Sequence, residues 1–226
     1  MSKADELFVS MCQDILDNGT TTEGERVRPH WEDGTPAYTI KRFGVTNRYD
    51  LREEFPAITL RRTALKSAMD EVLWIYQRKS NDIHDLHSHI WDQWADETGS
   101  IGKAYGYQIA QVSHYPEGDF DQMDRVLYDL RLAANNWNVC QYAILLMMVA
   151  QSVGMVAGEL LHVIADAHIY DRHVDVVREL ISRPQHPAPK VSLNPDVTDF
   201  YAFTTDDLIV EGYEHGPQVR DIPIAV

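Results

Sequence analysis

From Lys3 to Asp17, in KADELFVSMCQDILD, apolar residues fall at helical spacing, and the run stops at Asn18-Gly19-Thr20. That pattern predicts a first helix with a defined end. Residues 35–62 mix Thr, Tyr, Ile, Val and Phe with turn residues and read as strands. Leu65, Ala68, Met69, Val72, Leu73 and Tyr76 then recur three and four apart, which predicts an amphipathic helix over 64–78. Asn81 or Asp82 is a good cap for a second candidate, NDIHDLHSHIWDQW, and DFDQMDRVLYDLR is a third. Residues 137–153 are apolar almost all round, so that helix belongs in the interior. LISRPQHPAPKVSLNP is a proline-rich connector into a tail, DFYAFTTDDLIVEGYEHGPQVRDIPIAV, that reads as strands and turns. No internal repeat or linker divides the chain, so residues 1–226 are expected to form one domain. The class is α+β, and the strands are few for so many helices that need a sheet to pack on.

Composition narrows the function classes. The 226 residues are 44% hydrophobic and 24% charged, a balance typical of a globular chain able to bury a sizeable core. No apolar run reaches membrane-span length, and the first residues carry scattered charge rather than a signal-peptide core. Two cysteines, Cys12 and Cys140, are too few for a disulfide framework, so a reducing cytoplasm is expected. A net charge of −15 would repel a phosphate backbone over most of the surface and argues against broad nucleic-acid binding. A small anion held by a few local arginines remains compatible with it.

Several side chains could carry chemistry. His84, His87 and His89 lie close together in HDLHSH, but no HExxH or CxxC accompanies them, so capping or solvated histidines are expected rather than a metal site. His168 and Tyr170 alternate as on a strand, so both could face one cleft and bond a hydroxyl; a partly buried polar pair is the plainer reading. Glu71 borders the apolar face of the 64–78 helix. If buried, it would have a raised pKa and could relay protons near neutrality. Trp91, Trp94 and Tyr105 gather around acidic and glycine-rich turns, a density that usually means core and also suits stacking on a planar heterocycle.

Taken in order, MDEVLWIYQRKSND, IWDQWADETGSIGKAYGYQ, NNWNVCQYAILLMMVAQ, DAHIYDRHVD and the tail resemble the thymidylate synthase family, collinearly from the first helix to the last residue. The resemblance implies an α/β fold built on a large bent mixed sheet packed by helices, and a homodimer formed through that sheet. It implies transfer and reduction of a one-carbon unit from 5,10-methylenetetrahydrofolate, as co-substrate and without a metal, to C5 of dUMP, giving dTMP and dihydrofolate. By resemblance Glu71 organises water and protons around the pyrimidine, Tyr105 belongs to the network that removes the C5 proton, and Trp91 lies over the exocyclic methylene. Trp94, Arg61 and the terminal Val226 face folate. Arg28 grips the phosphate, His168 and Tyr170 hold the ribose, and Asn138 reads the uracil edge. The alternatives are a dUMP hydroxymethyltransferase and a catalytically dead nucleotide-binding member.

The resemblance is interrupted once, between Arg131 and Leu132. There the family carries a paired-arginine strand, the nucleophilic cysteine in a Pro-Cys motif, and further strands. Several tens of residues are absent, which would account for the thin strand content. Cys140 is not expected to substitute: residues two apart on a helix point about 200° from one another, so it faces away from Asn138, and an apolar setting leaves a thiol inert. The chain as written is therefore expected to be inactive, and the natural product to carry the missing residues.

Overall fold

The computed structural model describes residues 2–130, 139–219 and Pro223; within these, the side chains of Tyr128, Asp129 and Leu130 are left out of the description. In chain order the helices are α1 (Lys3–Asn18), α2 (Leu65–Val72), α3 (Gly106–Ile109), α4 (Gln122–Leu130), α5 (Val139–Ser152) and α6 (Val174–Ile181). The strands are β1 (Thr20–Thr21), β2 (Thr39–Asp50), β3 (Ser113–Tyr115), β4 (Gly118–Phe120), β5 (Glu159–Tyr170), β6 (Lys190–Leu193) and β7 (Leu208–Glu211). Among the described residues, they form a three-stranded sheet in the order β1-β2-β5 and the two pairs β3-β4 and β6-β7, an α+β arrangement. No helix among these residues is long and apolar enough to cross a membrane.

The chain divides into two compact units. The first holds residues 1–63, 161–190 and 212–226. In it, Ser2 caps α1 by accepting from the Asp5 amide at 3.1 Å, and Gly19 ends the helix where a Cβ would meet the Ile15 carbonyl at 2.3 Å. Cys12 and Ile15 on the inner face of α1 pack with Ala167 and Ile169 of β5, so the predicted apolar stripe is the one buried. Burial alternates along the end of β5: Ala167 and Ile169 point inward, which turns His168 and Tyr170 outward.

The second unit holds residues 64–160 and 191–211. Here the 64–78 helix is α-helical only through Val72 and continues as a π turn over Leu73–Gln77, closed by the Arg78 amide on the Leu73 carbonyl at 2.8 Å. Such a widening shifts the side chains beyond it around the axis, and π turns recur at functional sites. Trp74, fully buried, donates its indole N–H to the Asp82 carbonyl at 2.9 Å and centres a cluster with Ile75 and Leu86. On α5, Ala143, Ile144, Met148, Val149 and Ala150 are buried, while Leu145 and Leu146 are only half-buried.

The second predicted helix does not form. Residues 83–85 and 92–94 make isolated 3₁₀ turns in an otherwise irregular segment. Side-chain acceptors capture its amides: Asp82 takes the His84 N–H at 2.9 Å, and the buried Asp70 carboxylate takes the His87 N–H at 2.9 Å. Local capping of this kind competes with helical hydrogen bonding. His84 and His87 consequently do not share a helix face.

Candidate functional site

In the second unit, α2 and the turns at 91–94 and 105 bring three of the expected catalytic side chains together. Glu71 is 8% exposed. Its carboxylate accepts the Trp91 indole N–H at 2.8 Å and the side-chain amide of Gln141 from α5. Burial raises the Glu71 pKa, these two hydrogen bonds oppose the rise, and the neighbouring Asp70 charge adds to it; the net direction is upward. Trp91 lies at the middle of a ring cluster, 5.2 Å from Tyr105, 5.3 Å from Trp94 and 6.4 Å from Trp74, centroid to centroid. Glu71, Trp91, Tyr105, Gln141, Tyr76 and Tyr142 line a small cavity of about 90 Å³. Tyr76 donates its hydroxyl to that of Tyr142 at 2.8 Å, and burial raises its pKa.

The backbone around Tyr105 explains how the turn reaches that cavity. Tyr105 has φ 30°, in the left-handed region that side chains seldom adopt. Gly106 follows where an added Cβ would lie 2.0 Å from the Ser80 carbonyl oxygen, so only glycine admits the close approach. Trp94 and Tyr105 are 54% and 50% exposed, leaving aromatic faces open to a planar partner.

Asp70, beside Glu71 in sequence, has the opposite character. Burial alone would raise its pKa, but hydrogen bonds from His87 and Arg78 outweigh that and hold the carboxyl below its usual range. It is 3% exposed and anchors the 83–94 segment. His84 and His89 each face another carboxylate, Asp82 at 2.6 Å and Asp92 at 3.0 Å. Among the described residues, no group of three or more His, Cys, Asp or Glu could hold a metal ion.

In the first unit, His168 and Tyr170 stand on one face of β5 with rings 5.2 Å apart at 89°. Tyr170 also meets Trp31 at 5.8 Å and His173 at 5.6 Å, and the Arg172 guanidinium lies 4.9 Å from the Trp31 ring. Arg28 is exposed in the loop that leads into Trp31. Arg61 is half-buried in a loop whose backbone is fixed at several points. Asp5 accepts the Thr59 amide at 2.7 Å and its hydroxyl, and the Gly216 amide donates to the Thr59 carbonyl at 2.7 Å. Arg183 bridges the carbonyls of Leu60, at 3.0 Å, and Pro217, at 2.6 Å. The Tyr213 hydroxyl accepts the Thr63 amide at 2.7 Å and donates to the Ile58 carbonyl at 2.9 Å. The loop carrying Arg61 is thus tied to the start of the chain and to residues 213–217. Asn138 and Val226, the remaining expected binding residues, lie outside the described residues, as does the Arg131–Leu132 junction.

Gln141 is the site residue that sequence reasoning missed. Its signal was available: it follows Cys140 on the apolar α5 and is a polar residue where a buried helix has little room for one. Cys140 is half-buried and Cys12 is buried, and burial pushes each thiol up to about 12. Neither is a thiolate at neutral pH. Cys140→Ala is therefore expected to change no ligand-binding or catalytic property, with a fall in stability of about 1 kcal/mol or less; thermal unfolding and nucleotide binding measured side by side check this.

The family described as Thymidylate synthase matches this chain in two stretches, residues 6–136 and 129–226. Thymidylate synthase of Bacillus subtilis subsp. natto is 34% identical over 274 residues, covering 97% of this chain and 98% of its own. The thymidylate synthase of Bacillus phage phi3T is 33% identical with the same coverage. Because the alignment is 274 residues long and the chain has 226, several tens of the relative's positions have no counterpart here. Among solved structures, the thermostable thymidylate synthase A from Bacillus subtilis superposes with a TM-score of 0.90 at 33% identity, over 98% of this chain and 99% of that one.

Proposed function

Because the chain belongs to the thymidylate synthase family, we propose that its natural product converts dUMP and 5,10-methylenetetrahydrofolate to dTMP and dihydrofolate, and that the 226 residues described here lack the segment that supplies the nucleophile. The observation that carries this reading is the buried Glu71, bonded by Trp91 and Gln141 in a cavity edged by Tyr105. A buried carboxyl whose pKa is raised above its ordinary value can hold or pass a proton, directly or through one water, to a pyrimidine carbonyl. Tyr105, Tyr76 and Tyr142 bring hydroxyls to the same cavity. C5 of uracil is a weak nucleophile and becomes enolate-like only when a thiolate adds to C6. Burial raises the pKa of both thiols of this chain, which suits neither to that addition and favours a cysteine supplied by the missing segment.

Folate supplies the one-carbon unit and the hydride. This chain's aromatic faces at Trp91 and Trp94 suit its planar ring, and Arg61 suits an anionic tail. Arg28 is assigned to the phosphate, His168 and Tyr170 to the ribose hydroxyl, and Asn138 to the uracil edge. Val226 is assigned to closure over folate. The missing segment belongs between Arg131 and Leu132. Two facts support this: the family match falls in two stretches that meet at 129–136, and the relatives are longer by several tens of aligned positions. We assign the product to the cytoplasm as a homodimer.

The test is to splice the residues that the Bacillus subtilis enzyme carries at this junction between Arg131 and Leu132. The spliced chain is expected to form dTMP and dihydrofolate, identified by product mass. A hydroxymethylated product would reassign the last step to water, and tight dUMP binding without any product would make the chain a binding protein.

A further inference from the structure

Among the described residues, two that are not glycine have φ in the left-handed region: Tyr105, at 30°, and Lys79, at 54°. They meet in the second unit. The Lys79–Ser80 peptide presses on Gly106, where an added Cβ would lie 2.0 Å from the Ser80 carbonyl oxygen and 2.7 Å from the Lys79 carbonyl carbon. The Ser80 amide hangs that peptide from the buried π turn, donating to the Trp74 carbonyl at 3.2 Å. An unfavourable backbone conformation persists only where its surroundings fix it, and such positions gather at functional sites. The proposed chemistry uses Tyr105 and gives Lys79 no part.

The Lys79 side chain is 17% exposed. Its ammonium donates to the Asp121 carboxylate, itself 12% exposed, and to the Tyr201 hydroxyl at 3.0 Å, and it lies 3.5 Å from Asp124. Tyr201 closes the ring by donating to Asp124. Burial alone would lower the Lys79 pKa, but the bonds to Asp121 and Tyr201 outweigh it and raise the pKa, so the ammonium stays charged around neutrality. The other Asp121 oxygen caps α4, accepting the Met123 amide at 3.0 Å and the Asp124 amide at 2.9 Å. Beside it, Gln122 donates its side-chain amide to the Gln108 carbonyl of α3 at 2.8 Å. These contacts form a closed circuit. It runs from Lys79 to the start of α4, from there to α3, and through Gly106 back to the Lys79–Ser80 peptide. Tyr105 stands at its joint, directly before α3, with its ring 5.2 Å from that of Trp91. We infer that Lys79 is a positioning residue for Tyr105: its ammonium clamps the start of α4 to the 79–80 turn, and the clamp holds Tyr105 at the Glu71 cavity. A lysine in an exposed ion pair would do little of this; this one is mostly buried and holds several partners at once. The inference rests on the proposal that Tyr105 serves the reaction.

The experiment compares the parent with Lys79→Met, Lys79→Arg and Asp121→Asn. Amide hydrogen exchange in the 226-residue chain is read by mass spectrometry over residues 105–110, α1 and α5. In the spliced chain, kcat and the KM for dUMP are read. In Lys79→Met the 105–110 amides are expected to exchange at least about tenfold faster, with α1 and α5 unchanged. Its kcat is expected to fall about tenfold to a hundredfold with KM within about twofold, the mark of a misplaced group rather than lost binding. Lys79→Arg keeps the charge and is expected to recover most of both. Asp121→Asn keeps an oxygen for the α4 cap while removing the carboxylate charge. It is expected to shift both readings the same way, by less, and it carries the test alone if Lys79→Met does not fold. Unchanged exchange at 105–110 in both variants would overturn the inference. So would faster exchange spread equally over α1 and α5, or faster exchange at 105–110 with kcat unaltered, because Lys79 would then serve the fold only. The two proposals fail separately. Full turnover by the spliced Lys79→Met chain removes the positioning role and keeps the reaction. Fast exchange confined to 105–110, in a chain whose spliced parent forms no dTMP, keeps the clamp on Tyr105 and removes the reaction.

Discussion

Glu71→Gln is expected to lower dTMP formation by the spliced chain by about 10²–10⁴-fold, the usual contribution of a positioned acid or base. The substitution keeps the shape and one acceptor for Trp91, but removes the ionisable oxygen and sets its amide against that of Gln141. If Glu71 only supported the fold, glutamine would leave turnover within a few-fold of the parent. The same variant has a signature in stability that needs no turnover. Burial raises the folded-state pKa of Glu71 above its ordinary value of 4.5. The folded chain therefore holds this proton more tightly than the unfolded one. The resulting contribution to stability is fully present below the unfolded-state pKa and is lost as pH rises through the folded-state value. Relative to Glu71→Gln, the parent chain is expected to lose stability as pH rises above about 4.5, followed by unfolding temperature across that range. A parent-minus-variant difference that stays flat would show that Glu71 titrates as it would in water.

Asp5→Ala is expected to cost about 3 kcal/mol of unfolding free energy, because it leaves two buried donors of Thr59 without their acceptor. Asp5 and Thr59 are both fully buried, and the contact spans from α1 to the loop that carries Arg61. Thr59 also accepts the His186 amide at 2.8 Å through its hydroxyl, so the loss reaches the proline-rich connector. Asp5→Asn retains one acceptor and is expected to cost less than the alanine change. Urea unfolding of the three chains checks the order; a cost below about 1 kcal/mol for Asp5→Ala would mean that water replaces the carboxylate.

Much of the framework was legible in the sequence wherever a local pattern and its burial agree. The stripe on α1 is the face packed against β5, and the alternation of His168 and Tyr170 is the outward face of that strand. The burial of Glu71 was legible as a possibility because it borders the apolar face of its helix. The segment 81–94 was not legible, because its conformation is decided by Asp70, whose carboxylate takes the His87 amide seventeen positions along the chain. The π turn after Val72 escaped for a related reason: α and π spacing share the same apolar residues, and tertiary packing around Trp74 selects between them. Gln141 was hidden by the apolar run around it. The proposed assignment of Asn138 to the uracil edge and the interruption after Arg131 come only through resemblance, since no periodicity marks an absence.

The protonated state of both cysteines ties the structure to the chemistry. Burial holds each thiol at about 12, so at neutral pH the thiolate needed for C6 addition is scarce at either position.

The most direct measurement of this account supplies dUMP and 5,10-methylenetetrahydrofolate to the 226-residue chain, its Cys140→Ala variant and the spliced chain under identical conditions. Dihydrofolate and dTMP are expected from the spliced chain alone. Turnover by the 226-residue chain that disappears in Cys140→Ala would contradict the account, because the nucleophile would then be a residue that the chain already carries.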